Sequence, residues 1–139
     1  MIVLDTNVIS EPLKPRPDAR VLAWLVAQEP KALYLTATSL SELLLGIELM
    51  PAGKRKSAMM AVVQQTLDRL FADRFLSFDR EAAITSSLLA SRASARGFTI
   101  SVADCQIAAI AAVHGFTVAT RDTAAFRAAG VPIVNPWES

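Results

Sequence analysis

The chain has 139 residues, of which 53% are hydrophobic and 19% are charged, and this composition excludes an intrinsically disordered chain. Its 14 Lys and Arg residues nearly balance its 13 Asp and Glu residues, so there is no overall positive field and any contact with nucleic acid must be local. One cysteine and one histidine exclude an internal disulfide and a histidine-based zinc site, so catalytic chemistry must rest on carboxylates.

The first half of the chain alternates short apolar segments with amphipathic runs. Strands are predicted over Ile2–Leu4 and Leu33–Thr36, and between them Asp18 caps a helix that follows a proline-containing loop. Two further helices are predicted over 40–50 and 54–71. The first half therefore predicts a strand, a helix, a second strand and a pair of helices.

The second half repeats the alternation of strands and helices. The predicted elements are, in order, a strand over 75–78, a helix from Asp79 to Gly97, a helix over Val102–His114, a strand over 116–119, a helix over Thr123–Ala129 and a strand over 131–134. Strands that alternate with helices indicate crossover connections and a parallel sheet covered on both faces. We therefore predict an α/β fold in a single domain over residues 1–139.

The apolar residues are spread over the chain rather than gathered in one long run. No stretch approaches the ~20 residues of a membrane span, and no basic segment precedes an apolar signal core, so we expect a cytoplasmic protein without membrane contact. A mean hydropathy of +0.37 is high for so short a chain and favours an oligomer or a bound partner.

Four acidic residues stand where functional groups of α/β proteins are found. Asp5 follows the first strand directly, Asp122 follows the strand over 116–119, and Glu42 and Asp104 lie in the first turns of helices. Ligands of open α/β sheets bind at the carboxyl ends of the strands. If the strands are neighbours, these carboxylates converge at one edge of the sheet.

A cluster of carboxylates has a chemical requirement of its own. Each negative charge raises the pKa of the others, so the cluster is stable in its ionised form only with a cation. Oxygen ligands without histidine or cysteine suit Mg²⁺ or Mn²⁺. The cluster therefore predicts hydrolysis of phosphodiesters, in which the ion polarises the phosphate and lowers the pKa of an attacking water.

Helix capping is the alternative explanation for three of these acids. Glu42 lies three residues after Ser39 and Asp104 three after Ser101, and each spacing matches a capping box. Asp122 stands where an aspartate usually caps the following helix. Asp5 has no evident helix to cap in the next turn, which favours a functional role for this residue.

Positive charge is concentrated in the segments 14–20 and 54–56 and at Arg121. Solvated surface charge is the common explanation of such groups, and contact with phosphates of RNA or DNA is the functional one. Arg121 either binds a phosphate or pairs with the neighbouring carboxylates, and both alternatives stay open.

Five segments carry a resemblance to a known family: LDTNVISE over 4–11, SEL over 41–43, SVAD over 101–104, TRD over 120–122 and NPW over 135–137. In this order they are similar to the segments of PIN domains. The closer resemblance is to the VapC-type ribonuclease toxins of type II toxin-antitoxin modules, and within them to the FitB-like subgroup. The resemblance runs from one end of the chain to the other.

The resemblance implies a PIN-like three-layer fold with a central parallel sheet flanked by helices. It also implies an endoribonuclease that uses Mg²⁺ or Mn²⁺. Asp5 and Asp104 would be the metal ligands, and Glu42 and Asp122 would complete the catalytic pocket directly or through water. Hydrogen-bonding support would come from three residues: Thr6, Asn7 and Thr120.

One corner of the pocket departs from the family pattern. Many relatives have Asn followed later by Asp where this chain has Asp122 and Ala125. The number of acids is preserved if Asp122 replaces the missing aspartate. The position of the acid relative to the metal is then expected to differ.

The resemblance also implies partners. They are an RNA substrate, a cognate antitoxin protein, DNA bound only through the antitoxin complex, and a second copy of the chain in a homodimer or higher assembly. We expect the homodimer interface on the helices over 40–71.

Two other function classes compete with the nuclease. One is a catalytically weak PIN module that acts mainly with a DNA-binding antitoxin in operon autoregulation. The other is a phospho-acceptor receiver or phosphatase, which requires a pair of acids after the first strand and a late lysine. The chain has Asp5-Thr6-Asn7 and Arg121 at those places.

Overall fold

The computed structural model describes residues 1–139. Five strands lie side by side: β1 (Ile2–Leu4), β2 (Leu33–Thr36), β3 (Phe75–Leu76), β4 (Thr117–Ala119) and β5 (Ile133–Val134). Their order across the sheet is β3-β2-β1-β4-β5, and every neighbouring pair is parallel. The predicted parallel sheet is confirmed.

Seven α-helices connect and cover the strands: α1 (Thr6–Ser10), α2 (Ala19–Ala27), α3 (Ala37–Glu48), α4 (Lys54–Leu70), α5 (Arg80–Ala95), α6 (Val102–His114) and α7 (Thr123–Ala129). Short 3₁₀ turns cover Glu11–Leu13, Pro30–Ala32 and Pro136–Glu138. No helix has the length and apolar character needed to cross a membrane.

Alternating side chains of the central strands divide the core into two halves. On β1, Leu4 packs in a cluster with residues of α2, α3 and α4, whereas Val3 packs in a second cluster with residues of α5, α6 and α7. Successive residues of a strand point to opposite faces, so one short apolar strand serves both clusters. The result is three layers, with the sheet between two layers of helices.

The strand order places a crevice at one defined point. β1 lies at the centre, and the chain proceeds outward on one side through β2 and β3 before returning to the other side for β4 and β5. The connections on the two sides of β1 therefore diverge from its carboxyl end. Open α/β sheets bind their ligands at such a point, between β1 and β4 in this chain.

The structure corrects several predicted bounds. Helix α1 was not predicted, because its five residues, Thr6–Ser10, are too few to show helical periodicity. Helix α3 begins at Ala37, three residues before the predicted start. Strand β3 stops at Leu76 rather than at residue 78, where the chain turns towards α5.

Two predicted strands start too early for a shared reason. The backbone N–H groups of Phe116 and Val131 donate to carbonyl groups in the last turns of α6 and α7. These residues therefore belong to helix caps that Gly115 and Gly130 form in the left-handed conformation.

The end of α7 is also held from a neighbouring helix. Arg92 of α5 donates from Nη1 to the carbonyl of Ala129, and Arg96 donates to the carbonyls of Arg127 and Ala128. The carbonyls of Ala128 and Ala129 accept no backbone hydrogen bond, so the two arginines supply their partners, whereas the carbonyl of Arg127 also accepts from Gly130 N. Arg92 also lies close to Gly130, where an added Cβ would come within 2.7 Å of Nη1.

We expect Gly130→Ala to lower stability more than Gly115→Ala. Both glycines have positive φ, at 86° and 70°, so either change costs about 1–2 kcal/mol in backbone strain. The added methyl at 130 also displaces Arg92 from Ala129, which costs about 1 kcal/mol more. Urea denaturation of both variants checks the difference. In an Arg92→Ala background the difference should vanish, and its persistence would contradict this explanation.

Candidate metal centre

Asp5 is the buried carboxylate at the centre of the site. It follows β1, its backbone N–H donates to the carbonyl of Ala119 on β4, and the residue is only 3% exposed. Its Oδ1 accepts a hydrogen bond from Thr6 N at 2.7 Å, so Asp5 caps α1. The expectation that Asp5 has no helix to cap was therefore wrong, because α1 starts at the next residue.

Thr120 joins Asp5 to the loop that carries Asp122. Its hydroxyl donates to Asp5 Oδ2 at 2.8 Å and accepts from the backbone N–H of Asp122 at 2.9 Å. Thr120 is fully buried and follows β4 directly. A single hydroxyl therefore fixes the carboxylate after β1 relative to the loop after β4.

Asp104 reaches the same place from the first turn of α6. Ser101 is the N-cap of this helix and its hydroxyl accepts from Asp104 N at 3.1 Å, as one half of the predicted capping box requires. A hydrogen bond of 2.9 Å from Thr38 of α3 to Gln106 of α6 ties the two helices together beside the site. The side chain of Asp104 is half-buried.

Three carboxylates converge: one oxygen each of Asp5, Asp104 and Asp122 lies within 4.8 Å of the others. Asp122 is the exposed member and its side chain makes no cap hydrogen bond to α7, so the capping explanation does not account for it. The acid at the position where the resemblance expected asparagine is therefore part of the cluster. Ala125 and Asp122 line the same surface cleft.

The convergence has an electrostatic cost. Burial raises the pKa of Asp5 to about 6, and the charges of Asp104 and Asp122 add to this rise against the hydrogen bond from Thr120. Burial also raises the pKa of Asp104, with the charges of Asp122 and Glu42 as further causes. No Lys, Arg or His side chain forms an ion pair with any of these acids.

Glu42 lies beside the cluster without joining it. Its Oε1 accepts a hydrogen bond of 2.6 Å from the hydroxyl of Thr6, and its side chain is exposed. The proposed capping box of Ser39 and Glu42 was wrong, because α3 begins earlier and its N-cap is Thr36. The Ser39 hydroxyl is buried and has no hydrogen-bond partner.

Asn7 and Arg121 lie next to Asp122 at the exposed edge of the cluster, which we call the rim. Asn7 Nδ2 lies 3.4 Å from Asp122 Oδ2, and Asn7 Oδ1 lies 3.4 Å from the backbone N of Arg121, so both are long contacts. The guanidinium of Arg121 stands 5.2 Å from the ring centre of Trp137 and pairs with no carboxylate. The alternative that Arg121 neutralises the acids is therefore wrong.

The two other basic segments are partly explained by local ion pairs. Lys14 pairs with Glu11 at 2.9 Å, Arg20 with Asp18 at 2.7 Å and Lys56 with Glu48 at 3.8 Å. For these residues the structure favours ordinary surface charge over a dedicated phosphate contact.

The donor set fits a hard divalent cation. Three carboxylates within reach of one another, one of them buried and none of them paired with a cationic side chain, offer the oxygen ligands that Mg²⁺ and Mn²⁺ prefer. A divalent cation would also remove the repulsion that raises the pKa values of Asp5 and Asp104. Asp5, Asp104 and Asp122 are therefore the residues that could hold it.

Sequence reasoning missed several residues that shape the site. The hydrogen bond between Thr38 and Gln106 links two helices far apart in sequence, and no local sequence pattern predicts it. Phe98, which lines the cleft with Asp104 and Asp122, had a visible signal: it is an aromatic residue directly after the glycine that ends α5.

Comparison with known proteins gives a consistent result. The family model described as PIN domain matches residues 2–131. Toxin FitB of Neisseria gonorrhoeae is 47% identical over 99% of both chains, and VapC ribonuclease Y4jK of Sinorhizobium fredii is 49% identical over 99% of both chains. A chain in the solved structure of FitAB bound to the IR36 DNA fragment is 46% identical and superimposes with a TM-score of 0.95, covering 99% of this chain and 96% of that chain.

Stability without metal should rise on mild acidification. The pKa of Asp5 is about 6 in the folded protein and 3.8 in the unfolded chain, so the folded state takes up the proton first as the pH falls. Lowering the pH from 8 to 5 should therefore raise the free energy of unfolding by about 1 kcal/mol through this carboxyl, which corresponds to a rise of about 3–5 °C in Tm. Thermal denaturation in EDTA measures the change.

The comparison variant for this measurement is Asp104→Asn. Removing the charge of Asp104 should raise stability at pH 8 and reduce the gain on acidification, because that charge contributes to the raised pKa of Asp5. The measurement stops at pH 5. The pKa of Asp18 is lowered to about 2, so Asp18 does not change its charge within this pH range. A wild-type Tm that is flat or falls from pH 8 to pH 5 would be inconsistent with the repulsive cluster.

Thr120→Val should destabilise the protein by about 2–4 kcal/mol, since it removes a hydrogen bond to a buried carboxylate and leaves the N–H of Asp122 without its partner. Thr120→Ser keeps the hydroxyl and loses one methyl group, so it should cost only about 1 kcal/mol. Urea denaturation at pH 7.5 in EDTA compares the two variants. Equal stability of Thr120→Val and wild type would show that the hydroxyl does not hold the site together.

Proposed function

The chain belongs to the PIN-domain family, in the group of VapC and FitB toxins, and on that premise we propose that it is a divalent-metal-dependent endoribonuclease, the toxin of a type II toxin-antitoxin module. The observation that carries the proposal is the convergence of three unpaired carboxylates at the crevice between β1 and β4. The substrate is RNA, and the reaction is hydrolysis of a phosphodiester bond. Such a protein acts in the cytoplasm, where its substrate is found.

Asp5 and Asp104 are the proposed metal ligands, with Asp122 as the third carboxylate within reach. Mg²⁺ or Mn²⁺ held there supplies positive charge that offsets the charge of the phosphate and eases deprotonation of a water. Thr120 and Thr6 hold Asp5 by hydrogen bonds to its two oxygens. Asp5 is thus fixed before substrate arrives, which favours catalysis because this ligand needs little reorganisation.

Glu42 has a different proposed role from the three clustered acids. Thr6 orients it through Oε1, and its Oε2 makes no hydrogen bond within the chain. That oxygen is available to position an attacking water and to accept its proton. Asn7 supports Asp122 from the rim through a longer contact.

The proposed partners follow from the toxin group. They are a cognate antitoxin that covers the acidic pocket, and DNA that is bound only through the antitoxin complex; the similarity to a chain of FitAB bound to DNA supports both. A second copy of the chain is a further proposed partner. Exposed apolar residues on the helices over 40–71 support it, namely Leu45, Leu49 and Val62, although Ile84 and Leu88 on α5 offer a similar surface.

Purified, antitoxin-free protein should cut cellular RNA into discrete fragments in Mg²⁺ or Mn²⁺, and EDTA should abolish cleavage. Asp5→Asn and Asp104→Asn should each lower the rate by about 100-fold or more, because each removes a ligand charge that acts in the transition state. Gel analysis of total RNA, followed by rates on one cut species, measures both effects.

The matched control is Asp68→Asn, which makes the same chemical change at an exposed position of α4 and should retain the wild-type rate. Full cleavage in EDTA would contradict the metal-dependent mechanism. No cleavage by any form in either metal would instead favour the alternative, a PIN module that acts mainly with a DNA-binding antitoxin in operon autoregulation.

A further inference from the structure

A cleft of about 580 Å³ opens beside the carboxylate cluster and is not explained by metal binding alone. Two of the clustered acids, Asp104 and Asp122, line it. The other lining residues are Phe98, Thr99, Ser101, Arg121, Thr123, Ala124 and Ala125. An aromatic ring, small apolar groups, hydroxyls and a cation thus share one cleft with the acids.

Phe98 is an aromatic side chain that does not pack in the core. It belongs to neither apolar cluster, it stacks on no other aromatic ring, and it is 43% exposed. Its backbone is nevertheless fixed, because Phe98 N donates to Ala93 O at 3.0 Å and Gly97 N to Ser94 O at 3.0 Å in the cap of α5. A residue at this cap position usually packs back onto its helix, so a ring left open to the cleft calls for another explanation.

Arg121 is a cationic residue that forms no ion pair with the clustered acids. Its guanidinium lies against the ring of Trp137, which is buried, and no carboxylate lies within ion-pair distance. Stacking on an aromatic ring orients a guanidinium and leaves its N–H groups available for the bidentate binding of a phosphate.

We propose that this cleft holds one unpaired nucleotide of the RNA next to the cut, with its base stacked on Phe98 and its phosphate bound by Arg121. Single strands are bound by this combination of an aromatic surface and a cation, because every base has a flat π face. Ala124 and Ala125 add only small side chains to the lining of the same cleft, which leaves room for a base. Phe98 and Arg121 are therefore positioning residues that select unpaired RNA.

The experiment measures binding rather than cleavage. The probe is a fluorescein-labelled pool of single-stranded RNA of random sequence, about 12 nucleotides long, with a duplex of the same length for comparison. The full-length chain carries Asp104→Asn so that the probe is not consumed, and anisotropy is recorded both in EDTA and in Mg²⁺. Into this background we introduce Phe98→Leu, Phe98→Trp and Arg121→Gln.

Phe98→Leu keeps the apolar bulk without the π face and should weaken binding of the single strand by about 5- to 100-fold, with duplex binding unchanged. Phe98→Trp should bind within about twofold of the Phe98 form, since it restores the stacking surface. Arg121→Gln should weaken binding of both probes and reduce the slope of log affinity against log salt by about one. Val26→Ala, an exposed apolar residue of α2, is the matched control and should change nothing.

The proposal is overturned if Phe98→Leu binds the single strand as well as Phe98, if leucine and tryptophan are equally defective, or if the Phe98 form binds no single strand in either condition. A change in sedimentation mass or in antitoxin binding, without a change in RNA binding, would assign Phe98 to a protein contact and also overturn it.

This inference rests on the proposed ribonuclease function, but the two fail in different ways. Binding that depends on Phe98, in a protein that cuts no RNA, contradicts the proposed function and leaves the nucleotide site. Metal-dependent cleavage together with binding that ignores Phe98 leaves the proposed function and removes the nucleotide site.

Discussion

The structure around the site depends on a carboxylate that is kept almost out of water at the end of the central strand. Burial of Asp5 disfavours its charged form, and its two oxygens are held by the N–H of Thr6 and the hydroxyl of Thr120. Those two hydrogen bonds join the start of α1 to the end of β4, so the same contacts that keep the charge in place also fix the two sides of the crevice relative to each other. The three acids therefore repel one another in the folded protein, and a divalent cation relieves that repulsion without protonation of a carboxylate.

Topology explains why acids far apart in sequence meet there. Asp5 and Asp122 follow neighbouring parallel strands, and parallel strands deliver their carboxyl ends to the same edge of a sheet. Asp104 arrives from a helix whose first turn is capped by Ser101, and α6 is held against α3 by the bond from Thr38 to Gln106. A small sheet suffices for this arrangement, because each strand needs only enough residues to bury one side chain on each face.

Much of the fold could be predicted from local pattern because its main signals are local. Helix α6 ends where Gly115 adopts the left-handed conformation, and the bounds of Val102–His114 follow from a serine cap and a glycine stop. The first turn of α3 could not be predicted in the same way, since two capping residues, Thr36 and Ser39, compete within four positions and only tertiary packing selects the first. Asp5 and Asp122 were identified from their places after strands, Glu42 and Asp104 from their places in the first turns of helices, and the resemblance to the family agreed. The separation of Glu42 from the cluster could not be seen, because it depends on a hydroxyl of α1, a helix too short to predict.

Arg121 illustrates how the site keeps opposite charges close without letting them cancel. A cation directly after Thr120 would be expected to fold onto the carboxylates, yet it lies on the ring of Trp137 near the end of the chain. Had it paired with Asp122, the cluster would lose the excess negative charge that attracts a divalent ion, and the guanidinium would lose the N–H groups that bind phosphate. Because the indole ring offers a competing surface that is already buried, both charges stay available. Binding a metal ion and binding the phosphate of an RNA strand are therefore compatible within one cleft.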